Sequence, residues 1–279
     1  MGAALGGTGE RAAPMAWCRE TLIHTMPLFV SFVKKKFTIR TKKIRLLGRT
    51  GVSRWQELWK SAAVREQWST PDRAVIALAA RLQHEQKRRV YDLGCGPGRH
   101  TLYLARQGFE VYASDHAPVA LTYCRQRLAQ EGLVATLTEH DMGVIPYPDR
   151  FFHAVIAFNV IYHGLYARMQ QVVATVQKKL TAGGYFLFTL LSTRHSHFGQ
   201  GIPVEPHTFI DPEAEEKSTP HHYSDQEEVL LLTRGMRLLS VEEVDQRAWG
   251  GKGTGGWHWV VLAQVPDAGQ PQEADPSRV

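Results

Sequence analysis

Gly94, Gly96 and Gly98 stand at alternate positions in Asp92-Leu93-Gly94-Cys95-Gly96-Pro97-Gly98, and this stretch constrains the fold more than any other. Before it, Arg89 to Leu93 has the composition of a short strand; after it, His100 to Gln107 reads as a helix closed by Gly108. A strand that turns through side-chain-free backbone into a helix is the joint of a βαβ unit, and it leaves backbone N–H groups open to a ligand.

The chain around that joint repeats the alternation. Phe109 to Ser114, Leu133 to Thr138, Phe152 to Asn159 and Tyr185 to Leu191 are predicted strands. Between them, Pro118 to Glu131 is a predicted helix with Leu121, Cys124 and Leu128 on one face, and Met169, Val172, Val173, Val176 and Leu180 mark an amphipathic helix ended by Gly183-Gly184. Upstream, Trp55 to Trp68 looks helical, and Thr70-Pro71 opens a helix over Asp72 to His84 that is apolar almost all round. Downstream, Ser224-x-x-Glu227 reads as a capping box. Arg237 to Val244 and Trp257 to Val265 are strands with no helix between them, hence a hairpin with one reversed member. The expected fold class is α/β: a doubly wound, mainly parallel sheet with one antiparallel strand and helices on both faces. Ligands of such sheets bind outside the carboxyl ends of the strands.

Composition excludes several alternatives. Of the 279 residues, 43% are hydrophobic and 22% charged, which is globular rather than disordered. No window reaches 18 uncharged apolar residues, so no membrane span is expected. Cys18, Cys95 and Cys124 are odd in number and widely spaced, supporting neither a disulfide framework nor a cysteine zinc site; a reducing cytoplasm is the expected compartment. The net charge of +6 is unevenly placed. Residues 11–54 carry eleven Lys/Arg against Glu20 alone, whereas 55–279 carry a net −3. Residues 1–54 are therefore read as a basic, flexible arm, 55–265 as the folded domain and 266–279 as a disordered tail.

Three acids close successive strands: Asp92 before the glycines, Asp115 after the second strand and Asp141 after the third. A carboxylate at the first position repels a pyrophosphate and attracts an ammonium group. One at the second accepts ribose hydroxyls. One at the third accepts from an exocyclic adenine amine, with Met142 against the ring.

Tyr91 to His100, Gly108-Phe109-Glu110-Val111 with Asp115, Asp149 to Gly164 and Leu180 to Gly184 together resemble class I S-adenosylmethionine-dependent methyltransferases, in the style of the small-molecule enzymes of the tellurite-resistance and thiopurine type. The resemblance covers about residues 55–265. It implies a Rossmann-like, seven-stranded sheet and S-adenosyl-L-methionine as cofactor. Asp92, Gly94, Gly96 and Gly98, with Cys95 beside them, would hold the methionine end, Asp115 with His116 the ribose, Asp141 and Met142 the adenine, and Asn159 would lie near the methionine moiety. No metal is expected.

For the transfer itself, Tyr162 and His163 follow the fourth strand and are the first candidates for a base. Asn159-Val160-Ile161-Tyr162 has the spacing of the N-P-P-Y signature of amino methyltransferases but lacks both prolines. Thr193 to Tyr223 has little regular pattern and carries His195, His197, His207, His221 and His222, so it is read as a lid over the substrate end. His221 and His222, nearest the capped helix, are its candidate catalytic residues. The expected partner is a small-molecule methyl acceptor. A nucleic-acid methyltransferase gripping phosphate with the basic arm, and a non-catalytic cofactor-binding scaffold, are the alternatives.

Overall fold

The structure is a computed structural model that describes residues 54–212, 219–245 and 255–267. The expected arm, apart from Arg54, and the tail beyond Asp267 lie outside the described residues.

The chain runs α1 (Arg54–Lys60), α2 (Ala62–Gln67), α3 (Arg73–His84), β1 (Arg89–Leu93), α4 (Arg99–Arg106), β2 (Glu110–Asp115), α5 (Pro118–Gln130), β3 (Thr136–Glu139), β4 (Phe152–Ala157), α6 (Tyr166–Lys179) and β5 (Leu180–Ser192). It continues through β6 (Ile202–Glu205), β7 (Thr208–Ile210), β8 (His221–Ser224), α7 (Gln226–Leu232), β9 (Arg237–Asp245) and β10 (Trp257–Gln264). The main sheet has the order β3-β2-β1-β4-β5-β10-β9. The first five strands are parallel, and β10 runs antiparallel to both β5 and β9.

Period-2 alternation assigns the two faces. Tyr91, Leu93, Val155, Phe186 and Phe188 pack with Met169, Val172 and Val176 of α6 on one face. Val90, Ile156 and Leu187 pack with Val75, Leu78 and Leu82 of α3 on the other. Both faces of β1 and β4 are thus covered, as a parallel sheet requires. The residues of α3 that reach the core lie on one stripe and Ile76 is exposed, so the helix buries one face and not its whole circumference. Its N-cap is Asp72, whose carboxylate accepts from Ala74 N, so Pro71 precedes the cap rather than opening the helix. Trp55 to Trp68 is two short helices broken at Ser61, whose hydroxyl caps the second.

The segment from Thr193 to Tyr223 is more regular than its sequence suggests. Strands β6, β7 and β8 form an antiparallel annex, and β8 pairs in parallel with the end of β5, Leu191 with Tyr223 and Ser192 with Ser224. There β8 replaces β4, which has already ended: His222 N donates to Tyr162 O at 3.0 Å and His163 bridges His221. Because Ser224 completes β8, the capping box is shifted by one residue. Asp225 accepts from Glu228 N and Glu228 from Asp225 N.

Candidate active site

The carboxyl ends of β1 and β2 meet at the glycine turn. Gly94, Gly96 and Gly98 all have left-handed φ values of 70°, 55° and 93°, which side chains rarely adopt. Gly94 and Gly98 also lack room for one. A Cβ on Gly94 would lie 2.3 Å from Val160, and one on Gly98 2.4 Å from Cys124 Sγ. Gly96 N donates to Asp115 Oδ2 and Ala117 N to Asp115 Oδ1, both at 2.8 Å. Asp115 therefore ties the turn to the end of β2. It is not the N-cap of α5, which begins at Pro118 behind Ala117. His116, about half exposed, lies 3.8 Å from the same carboxylate.

Asp92 and Asp115 are both buried, 2% and 7% exposed. Burial pushes the Asp92 carboxyl up to about 6, against the pull of the Thr101 hydroxyl, 2.7 Å from Oδ2, and of Arg99; the charge of Asp115 pushes it further up. Burial raises Asp115 too, although the N–H groups of Ala117 and Gly96 oppose the rise. Cys95, in the same turn, is buried, and its thiol is pushed up by a hydrogen bond with Cys124 and by burial, so it is not a reactive thiolate. Two buried carboxylates facing one turn are short of positive charge. A cationic ligand with hydroxyls supplies what the pair lacks.

Farther along the strand ends, Asn159 adopts φ 57° directly after β4 and is held by Thr189, whose Oγ1 accepts from Asn159 N at 2.8 Å and donates to Asn159 Oδ1 at 3.1 Å. A non-glycine in this conformation costs of the order of 1–3 kcal/mol and is retained where a site over-determines it. Met142 packs at the rim of the core with Cε near Gly164. Asp141 is on the surface. Its carboxylate is engaged by Arg168 of α6 and accepts from Gly143 N. Arg168, 27 residues away, carried no sequence signal for this role.

Trp59 of α1 covers the turn, 3.1 Å from where a Gly96 Cβ would be, and Trp55 stacks on it at 6.0 Å. Trp55 also meets His163 edge-on at 5.2 Å. The cover over the turn thus continues into a second group of rings. Tyr162, His163 and His221 come together there, with ring separations of 4.4 Å (162–163) and 5.0 Å (163–221). His163 Nδ1–H donates to Val160 O. His222 does not join them. Successive residues of β8 face opposite ways, and its fully buried ring lies between Thr208 Oγ1 and Glu228 Oε2. His207, Asp225 and Glu228 bring one ligand-type atom each within 4.8 Å of one another. The α7 capping box and the His207–Glu228 contact account for that grouping.

Two further histidines adjoin this group. His195, which shares the expected lid with His221, and His258, at the start of β10, have rings 5.7 Å apart, and His258 lies 5.9 Å from Tyr162. The signal for His258 was topological: an antiparallel strand begins at the end where its parallel neighbours finish, so the first residues of β10 face the ligand end of the sheet.

Fold and site define a class. A parallel sheet of this order, with a glycine turn after β1 and acids closing β1 and β2, is the cofactor-binding core of class I S-adenosylmethionine-dependent methyltransferases. Residues 90–184 match the family described as Methyltransferase domain; the chain carries a methyltransferase domain of that class, and S-adenosyl-L-methionine is its cofactor. The fatty-acid O-methyltransferase of Mycolicibacterium smegmatis is 35% identical over 104 residues, 37% of this chain and 36% of the relative. The malonyl-[acyl-carrier protein] O-methyltransferase of Enterobacter lignolyticus is 31% identical over 124 residues, 43% and 45%. The chain therefore spans less than half the length of these relatives. The 1,6-didemethyltoxoflavin-N1-methyltransferase of Burkholderia thailandensis, solved with its acceptor and S-adenosylhomocysteine, shares the fold with a TM-score of 0.55 at 16% identity, over 77% of this chain and 88% of that one. No helix among the described residues is long and apolar enough to cross a membrane.

Proposed function

We propose that the protein transfers a methyl group from S-adenosylmethionine to a small-molecule acceptor by in-line displacement. One observation carries the reading: Asp92 and Asp115, both buried, flank a glycine turn in which Gly94 and Gly98 have no room for a side chain. The cofactor supplies a methyl group already activated on a sulfonium centre. The chain's task is to bind, orient and exclude water. Asp92 faces the ammonium end, Asp115 accepts from the ribose, Asp141 and Met142 receive the adenine, and Asn159 lies near the methionine moiety. The small-molecule reading is supported by the printed names of the two curated relatives and by the toxoflavin enzyme, and by the closely packed rings that adjoin the turn.

Calorimetry with S-adenosylhomocysteine tests this. The full chain is expected to bind one equivalent. Asp115→Ala removes charge-assisted hydrogen bonds of roughly 1.5–3 kcal/mol and weakens binding about 10- to 150-fold. A wild-type chain that fails to bind, or a folded Asp115→Ala variant of unchanged affinity, overturns the assignment.

A further inference from the structure

His258 is 4% exposed. Its Nδ1–H donates to Gly256 O at 2.9 Å, which fixes the tautomer and leaves Nε2 as an acceptor. Nothing among the described residues hydrogen-bonds to that Nε2. It is not one of the buried side-chain atoms left without a partner among the described residues, so it keeps some exposure, where a donor from outside can reach it. His195 is the complement. Its Nδ1 accepts from His197 N at 3.1 Å, so the neutral ring carries its proton on Nε2, and that N–H has no acceptor among the described residues. The two rings meet edge-on at 5.7 Å beside Tyr162, next to the group that reaches the glycine turn through Trp55 and Trp59.

We propose, resting on the methyltransferase reading above, that His195 and His258 form the acceptor site and that the acceptor is an uncharged O–H or S–H nucleophile. It donates its proton to His258 Nε2 and accepts from His195 Nε2–H. A hydroxyl or thiol is donor and acceptor at once and fits one of each. An anion does not. Both rings are held neutral: burial, with neighbouring histidine charge, pushes His195 and His258 each down to about 4. The groups acting on the pair are His163, His197, His221 and Asp245, and none supplies a fixed positive charge. Arg194, close in sequence, is already paired with Glu243 at 2.7 Å and stacked on Trp257.

The step balances. The acceptor's oxygen or sulfur forms a bond to the methyl carbon, and the carbon–sulfur bond of the cofactor breaks with its electron pair left on sulfur. The proton passes from the acceptor to His258 Nε2 and then to solvent. A weakly basic imidazole suffices, because a hydroxyl or thiol becomes strongly acidic once its heteroatom carries the methyl group.

The test uses the full chain with isotope-labelled imidazoles and bound S-adenosylhomocysteine, titrated with phenol and separately with benzoate. Phenol is expected to move the His258 and His195 ring resonances, assigned through His258→Gln and His195→Gln, while the His207 resonance stays in place. Benzoate is expected to bind about tenfold or more weakly, its charge having no partner. With phenylmethanethiol, an alkyl thiol that keeps its S–H proton at neutral pH, as methyl acceptor, His258→Phe is expected to lower kcat by about 10²-fold while S-adenosylhomocysteine affinity stays within about threefold. Benzoate binding as tightly as phenol, phenol that moves neither ring, or undiminished kcat in His258→Phe overturns the proposal. A wild-type chain that does not bind S-adenosylhomocysteine overturns the methyltransferase reading instead, and this proposal with it.

Discussion

At the scale of single residues, the site keeps an electrostatic debt that binding settles. The Asp92 carboxyl sits at about 6 in the fold against an ordinary 3.8. A raised folded value means that the folded chain holds this proton more tightly than the unfolded one. The stability it confers is complete at low pH and is lost as pH climbs from about 4 through about 6, a loss of the order of 3 kcal/mol. Asp92→Asn is therefore expected to raise the apo melting temperature at neutral pH and to flatten its dependence across that window. The same substitution removes the charge that faces the ammonium end, so affinity for S-adenosylhomocysteine falls. In the wild type, affinity weakens below about pH 6, where Asp92 takes up its proton. Thermal denaturation across pH, with calorimetry at two pH values, checks both halves. A variant less stable than wild type at neutral pH would mean that Thr101 and Arg99 hold the carboxylate more strongly than burial opposes it.

At the scale of elements, the two ends of α4 separate two costs that glycine substitutions usually mix. Gly98 and Gly108 both have left-handed φ, 93° and 79°, so alanine strains the backbone at each. Around Gly108 nothing lies within 4 Å of a new Cβ, whereas at Gly98 the Cβ meets Cys124 Sγ at 2.4 Å and Leu102 at 2.7 Å. Gly108→Ala is expected to cost about 1 kcal/mol and Gly98→Ala a further 1–3 kcal/mol or so from overpacking, read from urea denaturation midpoints at equal slope. Elements of this kind were legible in the sequence because their signals are local. The glycine spacing, the acids at strand ends and the 3.6-residue repeat of Met169, Val172, Val173 and Val176 each report on one joint or one face. The annex was not legible, because the partners of β8 are Leu191 and Ser192 of β5 and the turn after β4, some 30 and 60 residues away. For the same reason His222 looked like its neighbour His221, although strand alternation turns it toward Thr208 and Glu228. His258 escaped notice because its importance comes from the direction of β10, which only the sheet order reveals.

At the scale of the whole molecule, charge is divided in a way that the proposed chemistry does not use. Residues 11–54 carry a net +10 and residues 55–279 a net −3. The elements that make the proposed site all lie between Arg54 and Gln264. Trp55 and Trp59, which link the glycine turn to the histidine group, set the upstream limit of what the site needs. A chain beginning at Gly51 is accordingly expected to fold, to bind S-adenosylhomocysteine within about threefold of the full chain, and to keep its turnover on a small acceptor. Its affinity for RNA should fall sharply. Each lysine or arginine that neutralises a phosphate contributes about −0.9 to the slope of log affinity against log salt on a duplex and about −0.7 on a single strand. If the arm alone makes these contacts, the full chain shows a steep slope and the shortened chain a flat one, while small-molecule turnover stays the same in both. Should the shortened chain bind cofactor normally yet lose turnover on small acceptors, the arm belongs to the acceptor site. Should turnover appear only on RNA and vanish with the arm, the acceptor is a nucleic acid and the neutral imidazoles of His195 and His258 must be reread as contacts to a base rather than to a free hydroxyl or thiol.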